Sequence, residues 1–347
     1  MDPEAFPAVR EGPKQHVHVM RRLANSKSKA GGQHVQENDM DGPAAQLHQN
    51  LQDAVSDALA MRRPVLHHLS ADTAWLLMIP RPVAATKRGG RVYFNILIDP
   101  WLSGTQTDYT SWLSKQWHAE KPRVPNIAAV EEVIRETETL ASGIRFGKGR
   151  KSNAHETEDH DGVETFIDAV AISHQFTDHC HEQTMRDVHP NVPVFATESG
   201  QASRRSSSHQ YTEPEEEDET AEAVIYTPHG IHSYSEDLDL VTKANPPIKT
   251  LVFIHGLEDI TLGAAQQLNL GAHNGLKAQR KLKASYWVGT HDEDKKGTGI
   301  VGWLLRRKKI SVKDAVEAER KRMGGSKKDE AADEVLGSFQ GVNWVDL

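Results

Sequence analysis

Apolar and polar positions fall into two rhythms along this chain. From Pro64 onward, short apolar runs at 65–69, 74–79 and 92–98 are bounded by turn residues, and the last is rich in β-branched and aromatic side chains. Runs of that length predict strands, and Lys87-Arg88-Gly89-Gly90 predicts a turn joining the second and third as antiparallel neighbours. The period then changes. Asn126 can cap a helix whose Ile127, Val130, Ile134, Thr137 and Ala141 repeat at three and four residues, and Gly143 closes it. A polar stretch at 147–162 precedes a mostly apolar run at 166–172, which predicts a strand buried on both faces. Further strands are expected at 193–196, 223–226, 251–254 and 286–288, with a helical stripe at Leu262, Ala265, Leu268, Ala272 and Leu276 before the last. A final helix is expected from about Val312, opened by Ser311 and Asp314 at capping-box spacing. The alternation implies an α/β fold.

Before Pro64 the pattern weakens to a single helical repeat at Leu51, Val55 and Leu59. Residues 1–63 therefore read as an appended, partly disordered arm, 64–325 as the folded domain, and 326–347 as a tail. Within the domain, a Ser/Arg tract joined to an acidic one at about 199–220 reads as a solvated, low-complexity insertion.

Charge and composition narrow the functional classes. A net charge of -8 over 347 residues argues against a broad nucleic-acid surface, since phosphate contacts need clustered Lys and Arg. The basic run Arg306 to Lys309 reads instead as a solvated face or a lead into a helix. No apolar stretch reaches the eighteen residues of a membrane span, and no signal peptide is evident, so neither membrane nor secretion is expected. Cys180 is the single cysteine and cannot close an intramolecular disulfide, which suits a reducing cytoplasm.

Nineteen histidines are too many to mean anything individually, so spacing has to select among them. The segment Ser173-His174-Gln175-Phe176-Thr177-Asp178-His179-Cys180-His181 follows one expected buried strand and precedes a short expected helix ending before Pro190. Such a turn can aim neutral imidazoles and a carboxylate into one cleft, as a cation like zinc requires. The same residues could simply hydrogen-bond around the turn, with Asp178 as a helix N-cap.

The segment is similar to the His-x-His-x-Asp-His signature of metallo-β-lactamase-fold hydrolases, with Phe176 in the second histidine position. Leu69-Ser-Ala-Asp72-Thr-Ala-Trp75-Leu-Leu and Ile98-Asp99-Pro100-Trp101-Leu102-Ser103-Gly104 resemble the opening strands of fungal proteins of that superfamily, and the likeness runs from about 65 to about 305. It implies a four-layer αββα sandwich, with His174, Asp178 and His179 as metal ligands. His229 stands where the family presents a bridging carboxylate and His291 where it presents the last histidine. Asp99 is then similar to a carboxylate orienting a ligand histidine, and His255 to a substrate contact at the cleft rim. The family's middle histidine has no clear counterpart, and His209, the one histidine of the insertion, is not assigned.

The resemblance implies one or two ions of Zn, or of Fe or Mn, and hydrolysis of a small-molecule ester, lactone, lactam or phosphodiester by a metal-bound hydroxide. Asp178 and His174 would be the catalytic side chains, Asp178 orienting or deprotonating the water and His174 holding a second ion or stabilising an oxyanion. Phe176, which cannot ligate, also motivates the alternative of a degenerate, non-catalytic binding protein on the same fold.

Overall fold

The computed structural model describes residues 43–83, 86, 90–108, 110–146, 164–197, 221–263 and 266–322, with side chains described from 49 onward. The expected insertion at 199–220 and the tail at 326–347 lie outside the described residues.

The fold is mixed α/β with several sheets. A five-stranded sheet has the order β1-β2-β3-β6-β7, built from β1 (Val65–His68), β2 (Trp75–Pro80), β3 (Tyr93–Ile98), β6 (Ala169–Ile172) and β7 (Val194–Ala196). A second sheet orders β12 (Tyr286–Val288), β9 (Ile248–His255) and β8 (Ala221–Thr227). Two small antiparallel sheets join β4 (Thr105–Gln106) and β13 (Lys296–Thr298) to β5 (Lys115–Trp117), and β11 (Gln266–Asn269) and β14 (Leu305–Lys309) to β10 (Glu258–Leu262).

Strand periodicity sorts the apolar side chains into separate clusters, because successive residues of a strand face opposite ways. On β2, Leu76 and Met78 enter one cluster with α1 (Pro43–Ala60) and α2 (Ile127–Phe146), whereas Trp75 and Leu77 enter another with Val252 and Ile254 of β9. On β9 the intervening Phe253 turns away into a third cluster, with residues of α5 (Ala272–Leu282) and α7 (Val312–Arg322). The middle cluster therefore lies between the two large sheets, and each outer one between a sheet and a pair of helices. Fully burying one such side chain contributes about 1.5–3 kcal/mol, so these three clusters hold the sheets in place. No described helix is both long and apolar enough to cross a membrane.

Two expectations change, and a third, the solvated basic run, is placed on a strand. The helical repeat at Leu51, Val55 and Leu59 is α1, and it is no appendage: Leu51, Val55 and Ala58 are buried in the same cluster as Leu76 and Met78. The stripe from Leu262 to Leu276 is not one helix. Leu262 ends β10, Gly263 turns the chain with φ +61°, Leu268 lies on β11 and is exposed, and the helix begins only at Ala272. The three-and-four spacing there arose by coincidence across two kinds of element. The basic run at 306–309 is the edge strand β14, paired antiparallel to β10, its exposed charges keeping that edge solvated.

What matters for the site is direction. β3, β6 and β7 are mutually parallel, as are β8, β9 and β12. The segments leaving the C-terminal ends of β3, β6, β8 and β12 carry Asp99, His174 to His179, His229 and His291. Loops at the carboxyl ends of parallel strands are rigidly seeded on one side and free on the other, which suits them to hold ligands.

Candidate metal centre

Two overlapping triads form the site. One nitrogen each from His174, His179 and His229 lie within 4.8 Å of one another, and so do donor atoms of Asp178, His179 and His291. His179 belongs to both and is fully buried.

The turn that bears His174, Asp178 and His179 is pinned by its backbone. Cys180 N and His179 N bond to Phe176 O at 2.9 and 3.0 Å, and Thr73 Oγ1 donates to Asp178 O at 2.6 Å. Asp178 does not cap the following α3 (Glu182–Arg186), whose N-cap is His181, so its carboxylate is free to face the site. His229 is set by close backbone approach. Gly230 (φ +83°) packs so tightly on Leu270 that a Cβ there would lie 2.4 Å from the Leu270 carbonyl oxygen, and Leu270 N donates to His229 O at 2.9 Å. Asp99 and His291 are non-glycine residues in the left-handed region, at φ 43° and 57°. Such conformations cost of order 1–3 kcal/mol and persist where the surroundings fix them, often at functional sites.

Three imidazoles are oriented by an acceptor at Nδ1. Asp99 Oδ2 lies 2.6 Å from His179 Nδ1, Asn269 Oδ1 2.7 Å from His229 Nδ1, and Asp72 Oδ1 3.0 Å from His291 Nδ1. These partners assign the proton to Nδ1 and leave each Nε2 with a lone pair directed inward. Asp99 is itself held, accepting from Ser173 N at 2.7 Å and from the Ser173 hydroxyl. The consequence is acute at one contact, where His179 Nε2 and His229 Nε2 face each other at 2.9 Å. Two lone pairs repel at that distance unless a proton or another cation lies between or beside them. The donor set, imidazoles plus one carboxylate, is what Zn, Fe or Mn would accept.

Burial and charge divide the titrations. Burial pushes His174 down to about 4, and it pushes His229 well below the usual imidazole range, His291 and His179 adding to the effect. Burial also lowers His291, although the Asp72 carboxylate opposes it. His179 goes the other way: burial disfavours its charge, but Asp178 and Asp99 outweigh that and raise it. Burial would raise Asp178, yet Lys295, His179 and His291 hold it well below the carboxylate range.

No family model, curated protein or solved structure matches this chain.

The structure gathers His174, Asp178, His179, His229 and His291, with Asp99 behind His179. Phe176 is 37% exposed, its ring centroid 6.3 Å from that of His229, so it borders the nitrogen triad without ligating. The expected rim contact His255 is corrected. It ends β9 wholly buried, its ring against Phe253 and Trp287, with Nδ1 2.6 Å from Gly256 O, and it offers nothing to a substrate at a rim. Cys180 packs at the edge of the first cluster, and burial raises its thiol, which suits a packing role. His209 lies outside the described residues.

Sequence reading missed Asp72, Asn269 and Lys295. Asp72 sits at a strand entrance as Asp99 sits at a strand exit, a parallel that gives a usable signal. Lys295 lies four residues after His291, but nothing in its local pattern predicts that its ammonium turns inward.

Proposed function

We propose that the chain adopts the four-layer αββα sandwich of the metallo-β-lactamase type and acts as a metal-dependent hydrolase of a small ester, lactone, lactam or phosphodiester. Support for the fold comes from the apolar cluster between the two large sheets and the helix pairs outside them. The observation that carries the function is the pair of triads sharing His179, with the inward nitrogens of His179 and His229 2.9 Å apart.

A divalent cation held there would supply Lewis acidity, lowering the pKa of water to about 7 and polarising a carbonyl or phosphoryl oxygen. The chain's own part is orientation and proton handling. His174, His179, His229 and His291 present ring nitrogens, and Asp99, Asn269 and Asp72 keep three of those rings from turning. Asp178 stays ionised, with Oδ2 bonded to Lys295 at 3.0 Å, so Oδ1 is the atom that accepts a proton or orients water. His174, half-buried at the site's edge, would hold the ion or stabilise developing negative charge.

The test is His179→Ala, since this residue serves both triads. Metal bound after equilibration with zinc should fall by more than about 100-fold in affinity with the far-UV circular dichroism unchanged, because one deletion removes a donor and its carboxylate support together. Hydrolysis of a panel of ester, lactone, lactam and phosphodiester substrates should fall with it. Equal metal affinity in parent and variant sinks the proposal. Phe176 favours a second reading, a metal-binding protein without turnover: stoichiometric metal with no hydrolysis across the panel would select it.

A further inference from the structure

Among the described residues, Lys295 is the one ammonium inside the site, and its side chain is 4% exposed. Its Nζ lies 2.8 Å from Asp72 Oδ2 and 3.0 Å from Asp178 Oδ2, and those two carboxylates come from segments more than a hundred residues apart. The ring of Trp101 lies beneath it, with Nζ 5.3 Å from the centroid, closing off water on that side. Asp72 in turn reaches His291 Nδ1 with both oxygens, at 3.0 and 3.1 Å. The ammonium therefore occupies the carboxylate half of the site, against the oxygen of Asp178 that points toward His291 Nε2 at 3.8 Å.

The charges favour one ion over two. Asp72, Asp99 and Asp178 bring three negative charges and Lys295 one positive, while the imidazoles enter as neutral ligands. A single divalent cation brings that buried group to neutrality. A second would leave two uncompensated positive charges beside a buried ammonium, which the low-dielectric surroundings penalise heavily. Geometry agrees, because the nitrogen triad of His174, His179 and His229 contains no group bonded to Lys295.

Resting on the metal-centre reading above, we infer that Lys295 stands in for a second metal ion: the centre holds one divalent cation, on His174, His179 and His229, and the ammonium supplies the second positive charge. A substrate's developing negative charge would then meet one exchangeable and one permanent cation. The permanent one cannot be removed by chelation.

The test is zinc stoichiometry, by equilibrium dialysis of the full chain against zinc alone and elemental analysis. Parent protein should bind one zinc per chain in the site, Lys295→Arg one, and Lys295→Met two, because the last frees Asp178 Oδ2 and leaves a charge deficit that a second ion fills. Two ions in the parent, or one in a folded Lys295→Met, overturns the inference while leaving the metal centre standing. No zinc in the parent removes the metal centre itself and the inference with it. Should Lys295→Met not fold even with zinc, the parent and Lys295→Arg decide: one ion in each supports the inference and two in either overturns it.

Discussion

The two sides of this site solve opposite problems with neighbouring residues. On the nitrogen side, His174 and His229 are partly exposed, burial holds their rings neutral, and among the described residues no cation of the protein's own is bonded to them. On the carboxylate side, the side chains of Asp72, Asp178, His291 and Lys295 are all buried, and the one ammonium is bonded to both carboxylates. The first side is a set of converging lone pairs; the second is an ammonium already paired with two carboxylates. His179 stands between, its Nε2 2.9 Å from His229 and 3.6 Å from Asp178 Oδ1. Converging lone pairs and paired charges thus meet at one ring within a single cleft.

The sharpest way to break the contrast is to remove the satisfied cation. In metal-free protein, Lys295→Met leaves Asp72 and Asp178 as buried carboxylates without their shared partner, and urea unfolding should report a loss of about 3–5 kcal/mol. Adding Asp178→Asn to it should recover part of that loss by deleting one of the stranded charges. A loss below about 1 kcal/mol in the single variant would mean that the carboxylate side is open to water and that its charges are screened.

The contrast was only partly legible in the sequence, and the reason is distance along the chain. His174, Asp178 and His179 lie within six residues on one turn, so their common orientation follows from local geometry. His229, His291 and Asp99 were singled out through the resemblance to metallo-β-lactamase-fold proteins, which aligns each with a position shortly after an apolar strand. Lys295 and Asp72 were not: their pairing spans more than two hundred residues, and a lysine in Asp-Glu-Asp-Lys-Lys reads as solvated until the fold turns it inward. His255 misled for the converse reason. Its place after an apolar run suggested a strand-end loop, but β9 continues through it and carries the ring into the core between sheet and helices. The stripe at 262–276 failed because a hairpin and a helix start can share helical spacing when only apolar letters are counted.

A second intervention sharpens the comparison at its hinge. Asp99 touches no expected ion but holds His179 Nδ1 at 2.6 Å, so Asp99→Asn acts on both triads through a single ring. Chelator competition should show zinc affinity reduced about 10- to 100-fold, the usual effect of removing a carboxylate behind a ligand histidine. The backbone bond from Ser173 N can persist to the amide oxygen, and the fold should be retained. An unchanged affinity would place His179 under the control of the turn alone, with Asp99 serving only to anchor Ser173.

The smallest effect isolates burial from pairing, using an imidazole outside the site. His67 on β1 is buried, its Nε2 has no hydrogen-bond partner, and burial pushes it from 6.5 down to about 4; unlike His179, it has no carboxylate bonded to it to reverse that. Because the folded-state value lies below the unfolded one, the contribution of His67 to stability is intact above pH 6.5. It declines as the pH falls through the interval and is fully lost below about pH 4. Between pH 7 and 5.5 this one group should cost about 1 kcal/mol. His67→Leu removes the titration at nearly constant volume, so metal-free unfolding measured at both pH values should show the variant losing about 1 kcal/mol less than the parent over that step. Equal losses would mean that water or a shifted neighbour solvates the protonated ring. Burial alone would then not explain the neutral imidazoles of the nitrogen side, and the low values of His174 and His229 would have to come chiefly from their mutual repulsion within the cluster.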